Sequence, residues 1–216
     1  MKKLVHIFIS VVMLLSWALP CAAAPFEKAP EKVAASSVEE LLSDFDYSKS
    51  VENAQKGYID KRVSNDVLDR VNVSGADSYS IEYIGTVSAN ARSGAPEGTV
   101  YSVTATQKSV SNNNSEDNID AAITMVWIDN LGTNNQLYRI YGNWNPNGRT
   151  LSNRLVTYGW NNINDSYYES MTPTSNSYNF YPLEIYGFQL SAVASVNSSG
   201  YESNPIMVEV SSSIFQ

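Results

Sequence analysis

The chain is predicted to be all-β: an antiparallel β-sandwich preceded by a short leader that is partly helical or disordered. Three observations lead there. From about Ser78 onward the composition turns to Tyr, Asn, Ser, Thr and Val, and no lysine follows Lys108. Within that stretch apolar and polar residues alternate with a period of two, which puts one set of side chains on each face of a strand. Between the alternating runs stand clusters of Asn, Gly, Pro and Ser, the residues that favour turns. Six or seven short strands in this length are enough for two sheets to bury one face of each against the other.

Residues 1–24 read as an export signal. Lys2 and Lys3 give a positive start, residues 4–19 are apolar but short for a membrane span, Pro20 breaks the run, and Cys21 to Ala24 are small residues suited to a signal peptidase. Cys21 is a poor fit to a bacterial lipid-attachment motif, because Pro20 stands where that motif takes Gly, Ala or Ser. The expected product is secreted and extracellular, with no further apolar run long enough to span a membrane. Losing Lys2 and Lys3 takes the formal charge from −8 to −10. An acidic chain is repelled by phosphate backbones and by anionic lipid, so nucleic acid is not an expected partner.

Residues 25–77 form a charged leader or linker, with Pro25 and Pro30 near its start. Ser36 or Ser37 is placed to cap a helix, with Glu39 and Glu40 three residues on. Leu41, Leu42 and Phe45 would be its apolar side. A second helix is expected to carry Ile59, Val63, Val67, Leu68 and Val71, ending at Gly75.

Residues 78–216 form the sandwich. The first strand alternates Tyr79, Ile81, Tyr83, Gly85 and Val87 with polar partners, and the second places Tyr101, Val103 and Ala105 on one face. After a polar loop at residues 111–118, Ile119, Ala121, Ile123, Met125 and Trp127 alternate along a third strand, whose later residues are apolar on both faces, as in a central strand. Residues 136–144 run back. Asn145-Pro146-Asn147-Gly148 is a turn signal, and residues 151–160 return, which predicts a three-strand meander. A long Asn/Ser/Tyr loop follows. Residues 183–196 are a strand or a bent pair of strands, and Ile206, Val208 and Val210 alternate in the last one.

The closing hairpin, residues 192–203 with Asn197-Ser198-Ser199-Gly200 at its turn, resembles the last two strands of a fibronectin type III or related immunoglobulin-like module. The resemblance implies an immunoglobulin-like sandwich, with Tyr186 as its buried corner tyrosine. The rest of the chain lacks that family's early tryptophan and proline pattern, and a jelly-roll-like arrangement of the same strands is equally open.

His6 and Cys21 are the only histidine and cysteine, and both lie in the export signal. The exported chain therefore lacks the commonest general base, thiol nucleophile and zinc ligands. No catalytic residue, metal site or cofactor motif is expected. Asp165 and Glu169 would share one face if their segment were helical, as a carboxylate-dependent glycoside hydrolase needs, but Asn, Asp and Ser there favour a loop. Glu116, Asp117 and Asp120 offer oxygen ligands without the spacing or glycine of a calcium loop.

What remains is an aromatic and amide load late in the chain. Trp144, Trp160, Tyr167, Tyr168 and Tyr181, set among many asparagines, are the candidate ligand-binding side chains. Flat rings stack on sugars or on partner side chains, and amides exchange hydrogen bonds with hydroxyls. The expectation is a secreted, non-enzymatic binding or interaction protein for an extracellular protein or glycan. A carbohydrate-binding module is the first alternative.

Overall fold

The computed structural model describes residues 34–35, 37–88, 97–109, 119–130, 134–183, 185–199 and 205–214. The expected export signal, the loop at 111–118, and Glu116 and Asp117 within it lie outside the described residues. In chain order the strands are β1 (Ala34–Ala35), β2 (Val71–Ser74), β3 (Ser78–Val87), β4 (Gly98–Ser109), β5 (Ile119–Asp129), β6 (Asn135–Asn145), β7 (Leu151–Asn161), β8 (Ser166–Met171), β9 (Ser177–Phe180), β10 (Ile185–Gly187), β11 (Gln189–Ser198) and β12 (Ile206–Ser213). Among the described residues three helices, α1 (Val38–Leu42), α2 (Tyr47–Gln55) and α3 (Asn65–Leu68), precede β2.

The strands make two sheets packed as a sandwich. The larger runs β1-β3-β4-β5-β6-β10, with β9 also pairing β6; the smaller runs β2-β12-β11-β7-β8. Every strand pairing is antiparallel except β1 with β3. The inward faces meet in one apolar core. Ile123, Met125 and Trp127 of β5 lie in it with Leu190 and Ala192 of β11 and Val208 and Val210 of β12, all at most 1% exposed. β5 is buried along nearly its whole length, as the two-sided apolar pattern predicts for a central strand.

The outward face of the larger sheet is also covered. Val38, Leu41 and Leu42 of α1 pack on Val87, Val100, Val126 and Ile128, so both faces of β5 meet apolar side chains. Ser37 caps α1, its hydroxyl accepting from the Glu40 amide at 3.1 Å. Next to α1, α2 lies against β3 and β4 through Ser50 and Ala54. The contact there is polar: Ser50 Oγ bonds Glu82 and Thr104 Oγ1, and Thr104 Oγ1 bonds Thr124 Oγ1 at 2.8 Å.

Residues 34–74, read from sequence as a leader, are thus built into the fold, with β1 joining the larger sheet and β2 the smaller. The expected helix through Ile59 and Val71 does not form. Gly57, at φ +65°, closes α2, and Ile59 then bridges to Ile81. Asp60 folds the chain over Arg62, and Ser64 starts only a single turn, α3. Pairing with β3 outcompetes the local helical period. Val63 and Val67 still reach the core, which is why the spacing looked helical.

The expected meander through residue 160 is corrected as well. β5 and β6 pair, but β7 joins the other sheet, beside β11. The turn forms as predicted, with Asn147 at φ 46°, Gly148 at φ 89° and the Arg149 amide bonded to Pro146 O at 2.9 Å. It carries the chain between layers because the free edge of β6 is taken by β9 and β10. The chain changes sheet again at Phe188, between β10 and β11. No helix among the described residues is long and apolar enough to cross a membrane.

Candidate binding edge

β7 sends Val156, Tyr158 and Trp160 inward by strand alternation. The turn after it is set by the Asn162 amide donating to Asp165 O at 2.7 Å, and Asp165 Oδ1 accepts from the Ser166 amide at 2.8 Å. β8 then pairs back with Trp160 opposite Tyr167, Tyr158 opposite Glu169 and Val156 opposite Met171. The larger sheet does not extend over β8, and all six of its residues are exposed. No apolar face remains on β8 to give an inside–outside period, and β9, whose Tyr178 and Phe180 do point inward, is only four residues long, so the two read from sequence as one loop.

Tyr167 stacks on Trp160, centroids 6.4 Å apart and planes inclined by 26°. Glu169 sits next on the same face and accepts from the Tyr158 hydroxyl at 2.9 Å and from the Tyr167 hydroxyl. Those two hydrogen bonds hold its carboxyl below the usual range, so it is ionised at neutral pH and acts as an acceptor. Burial, reinforced by Glu169, pushes the Tyr158 hydroxyl up to about 12. Behind Tyr158 the rings continue inward: Phe180 at 6.5 Å, Tyr178 at 5.7 Å from Phe180, and Trp144 at 4.8 Å from Tyr178. This file of rings ties the edge to the core. Beside Trp160, residues Asn161, Asn162, Ile163, Phe188, Gln189 and Ser213 line a hollow of about 340 Å³. The Asn162 side chain accepts from the Phe188 amide at 2.8 Å and fixes its wall.

The five candidate residues do not form one platform. Trp144 is 1% exposed and belongs to the core, because its position on β6 has the inward parity of Ile140 and Gly142, and Gly142 leaves room for Tyr178 beside it. Trp160 and Tyr167 are brought together. Tyr168 is half exposed on the opposite face of β8, across from Gly159. Tyr181 lies away from them, with the Arg139 guanidinium held between its ring and that of Tyr141, 4.0 and 4.4 Å from the centroids. Tyr186 is 41% exposed and therefore does not fill the buried corner position implied by the immunoglobulin-like resemblance.

Asp165 and Glu169 do not converge. Asp165 is in the turn and Glu169 is three positions into the strand. Four residues of extended chain span about 13 Å, beyond the separation a glycosidase pair uses. Among the described residues no group of acids, histidines or cysteines is placed to hold a metal ion. Sequence reading missed Tyr158 and the Trp160–Tyr167 pair as a unit. The available signal was the Asn-rich turn at 161–165, set between two Tyr-bearing runs as in a hairpin.

Of the twelve large hydrophobic side chains that stand exposed among the described residues, seven lie between Ile163 and Tyr186, on β8, on β10 and in the connections before β8 and before β10. Residues 161–189 carry no Lys or Arg of their own. Comparison of the chain with protein-family models, with curated proteins and with solved structures finds no match in any of the three.

Proposed function

We propose that this chain is an exported, non-enzymatic β-sandwich that binds a partner outside the cytoplasm through the edge formed by β7 and β8. The observation that carries the reading is the group of exposed apolar side chains on β7, β8 and their turn, namely Leu155, Ile163, Tyr167, Tyr168 and Met171. Scattered exposed hydrophobics are ordinary, whereas a contiguous group marks an interaction site. The amino-terminal pattern of Lys2, Lys3, an apolar run and small residues supports export.

A glycan partner is the second reading, favoured by the amide-lined hollow at the end of β7, on the sheet face that Tyr168 shares. Rings offer flat apolar faces to a sugar, and the amides of Asn161 and Gln189 serve its hydroxyls. The test is retention of the chain on immobilised extracellular proteins and on a glycan array, for wild type and for the double variant Tyr167→Ala/Tyr168→Ala. Wild type is retained and the folded variant is not. Equal retention of both would remove the edge from the function.

A further inference from the structure

We infer that β8 is the dimerisation strand of this protein, adding antiparallel to β8 of a second copy so that the two five-stranded sheets become one sheet of ten. This rests on reading the β7–β8 edge as a binding surface and names its partner.

β8 ends the smaller sheet and pairs only with β7 among the described residues, leaving its outer row of backbone groups open. An open edge invites another strand, and proteins ordinarily guard edges with short strands, Lys, Pro or a covering segment. The other edges here follow that rule. β1 has two residues, β10 three, and β2 and β9 four each. The edge of β3 is covered at Ile81 by residues 58–60, which hydrogen-bond to it on both sides. β8 alone has six residues, with no Lys, Arg, Pro or Gly among them.

Strand length and charge together fit a second copy in one register: within Ser166–Met171, only a centre at Tyr168 or Glu169 pairs five of the six residues. A two-fold axis perpendicular to a sheet keeps each side chain on its own face, so the strand must pair about a residue that opposes itself. Centring on Tyr167 would put Asp165 opposite Glu169. Centring on Glu169 would oppose the two Glu169 carboxylates. Both place acids directly across from each other, which is destabilising. Centring on Tyr168 puts Glu169 opposite Tyr167, the same hydroxyl–carboxylate partnership each copy already makes internally. It also sets the two Tyr168 rings side by side on the outer face, in the middle of a joined aromatic strip.

The test uses the chain from residue 25 onward, which contains every described element. Sedimentation over the micromolar to millimolar range should show a reversible monomer–dimer equilibrium. Tyr168→Lys, on an exposed face, should abolish the dimer while melting like wild type at dilutions where both are monomeric. Mixing Tyr168→Lys with Tyr168→Glu should restore a heterodimer. Tyr168→Cys should cross-link to itself on mild oxidation, while Tyr167→Cys and Glu169→Cys should not. A chain monomeric at every concentration, including one that accepts only an unrelated peptide, would overturn the inference, as would a dimer indifferent to Tyr168→Lys. A monomer still retained on its ligand through Tyr167 would leave the binding function standing while this inference fell.

Discussion

Trp160 is held between two neighbours, Tyr167 stacked across the ladder and the backbone of Gly187 behind it. The approach of Gly187 is so close that a Cβ there would overlap the Trp160 side chain. The ring is therefore positioned by the larger sheet, through β10, although it belongs to the smaller one.

Gly187→Ala should push Trp160 out of its place. The expected cost is about 1–3 kcal/mol, the range for forcing an extra methyl into a packed contact. Tryptophan fluorescence should change with it. A denaturant melt and an emission spectrum check both, and an unchanged spectrum would mean that Trp160 is not set by this contact.

Trp127→Ala and Trp144→Ala should each destabilise the fold by about 3–5 kcal/mol, from lost burial and the cavity left behind. Both rings are 1% exposed. Tyr167→Ala, at an exposed edge, should cost about 1 kcal/mol or less, the scale of a cross-strand pair. Urea midpoints of the three variants give the comparison. A Tyr167→Ala loss equal to that of Trp127→Ala would make β8 structural in purpose.

Acid should destabilise the protein through Asp60. Burial alone would raise this carboxyl, but the hydrogen bonds and charge of Arg62 outweigh that and hold it below the ordinary value. The guanidinium meets both carboxylate oxygens, with Nε at 3.0 and 3.1 Å. A folded pKa below the unfolded value of about 3.9 gives stability that is present above that pH and lost as pH falls through the folded value. Asp60→Asn should lower stability at neutral pH by about 2 kcal/mol, the scale of charge-assisted hydrogen bonds. The variant should also lose part of the acid dependence. Melts from about pH 7 to about pH 2 test this, and parallel curves for the two proteins would refute it.

Alkali should separate the tyrosines into two groups. Burial raises Tyr47, Tyr101, Tyr141, Tyr158 and Tyr178, and the Glu169 hydrogen bond raises Tyr167. With Tyr158 at about 12 in the fold and about 10 when unfolded, its contribution is intact below pH 10 and is lost as pH rises through 12. Phenolate absorbance should show these six titrating later than free tyrosine. A single ordinary midpoint for all of them would contradict the packing described.

Where one face of a strand is buried, the sequence shows it. β3, β5 and β12 are legible because Ile81, Ile123 and Val208 recur every second residue against one apolar layer. What was not legible has a common cause, the lack of a local period. α2 buries only Ser50 and Ala54, so no apolar stripe marks it. β8 has nothing over either face. The sheet change after Gly148 depends on β9 and β10 claiming the edge of β6, which no turn motif encodes. Of the candidate site, the pairing of Trp160 with Tyr167 followed from two strands that were only half recognised. Trp144 was misplaced because an aromatic in a Tyr/Asn-rich run looks the same from sequence whether it points inward or outward.

The ladder between β2 and β12 joins Val71–Ser74 to Glu209–Ser212, residues more than half the chain apart. Val71 and Val73 pack against the core only from that place in the sheet. The smaller sheet therefore cannot be completed until the last strand is available, and a chain emerging from its amino-terminal end must wait for its far end. Contacts of such long separation slow folding. In the export proposed above, that delay would keep the early part pliable during passage. It also makes clipping before Ile206 an event felt at both ends, since removing β12 would strip β2 of its one strand partner among the described residues and bare the edge of β11 together.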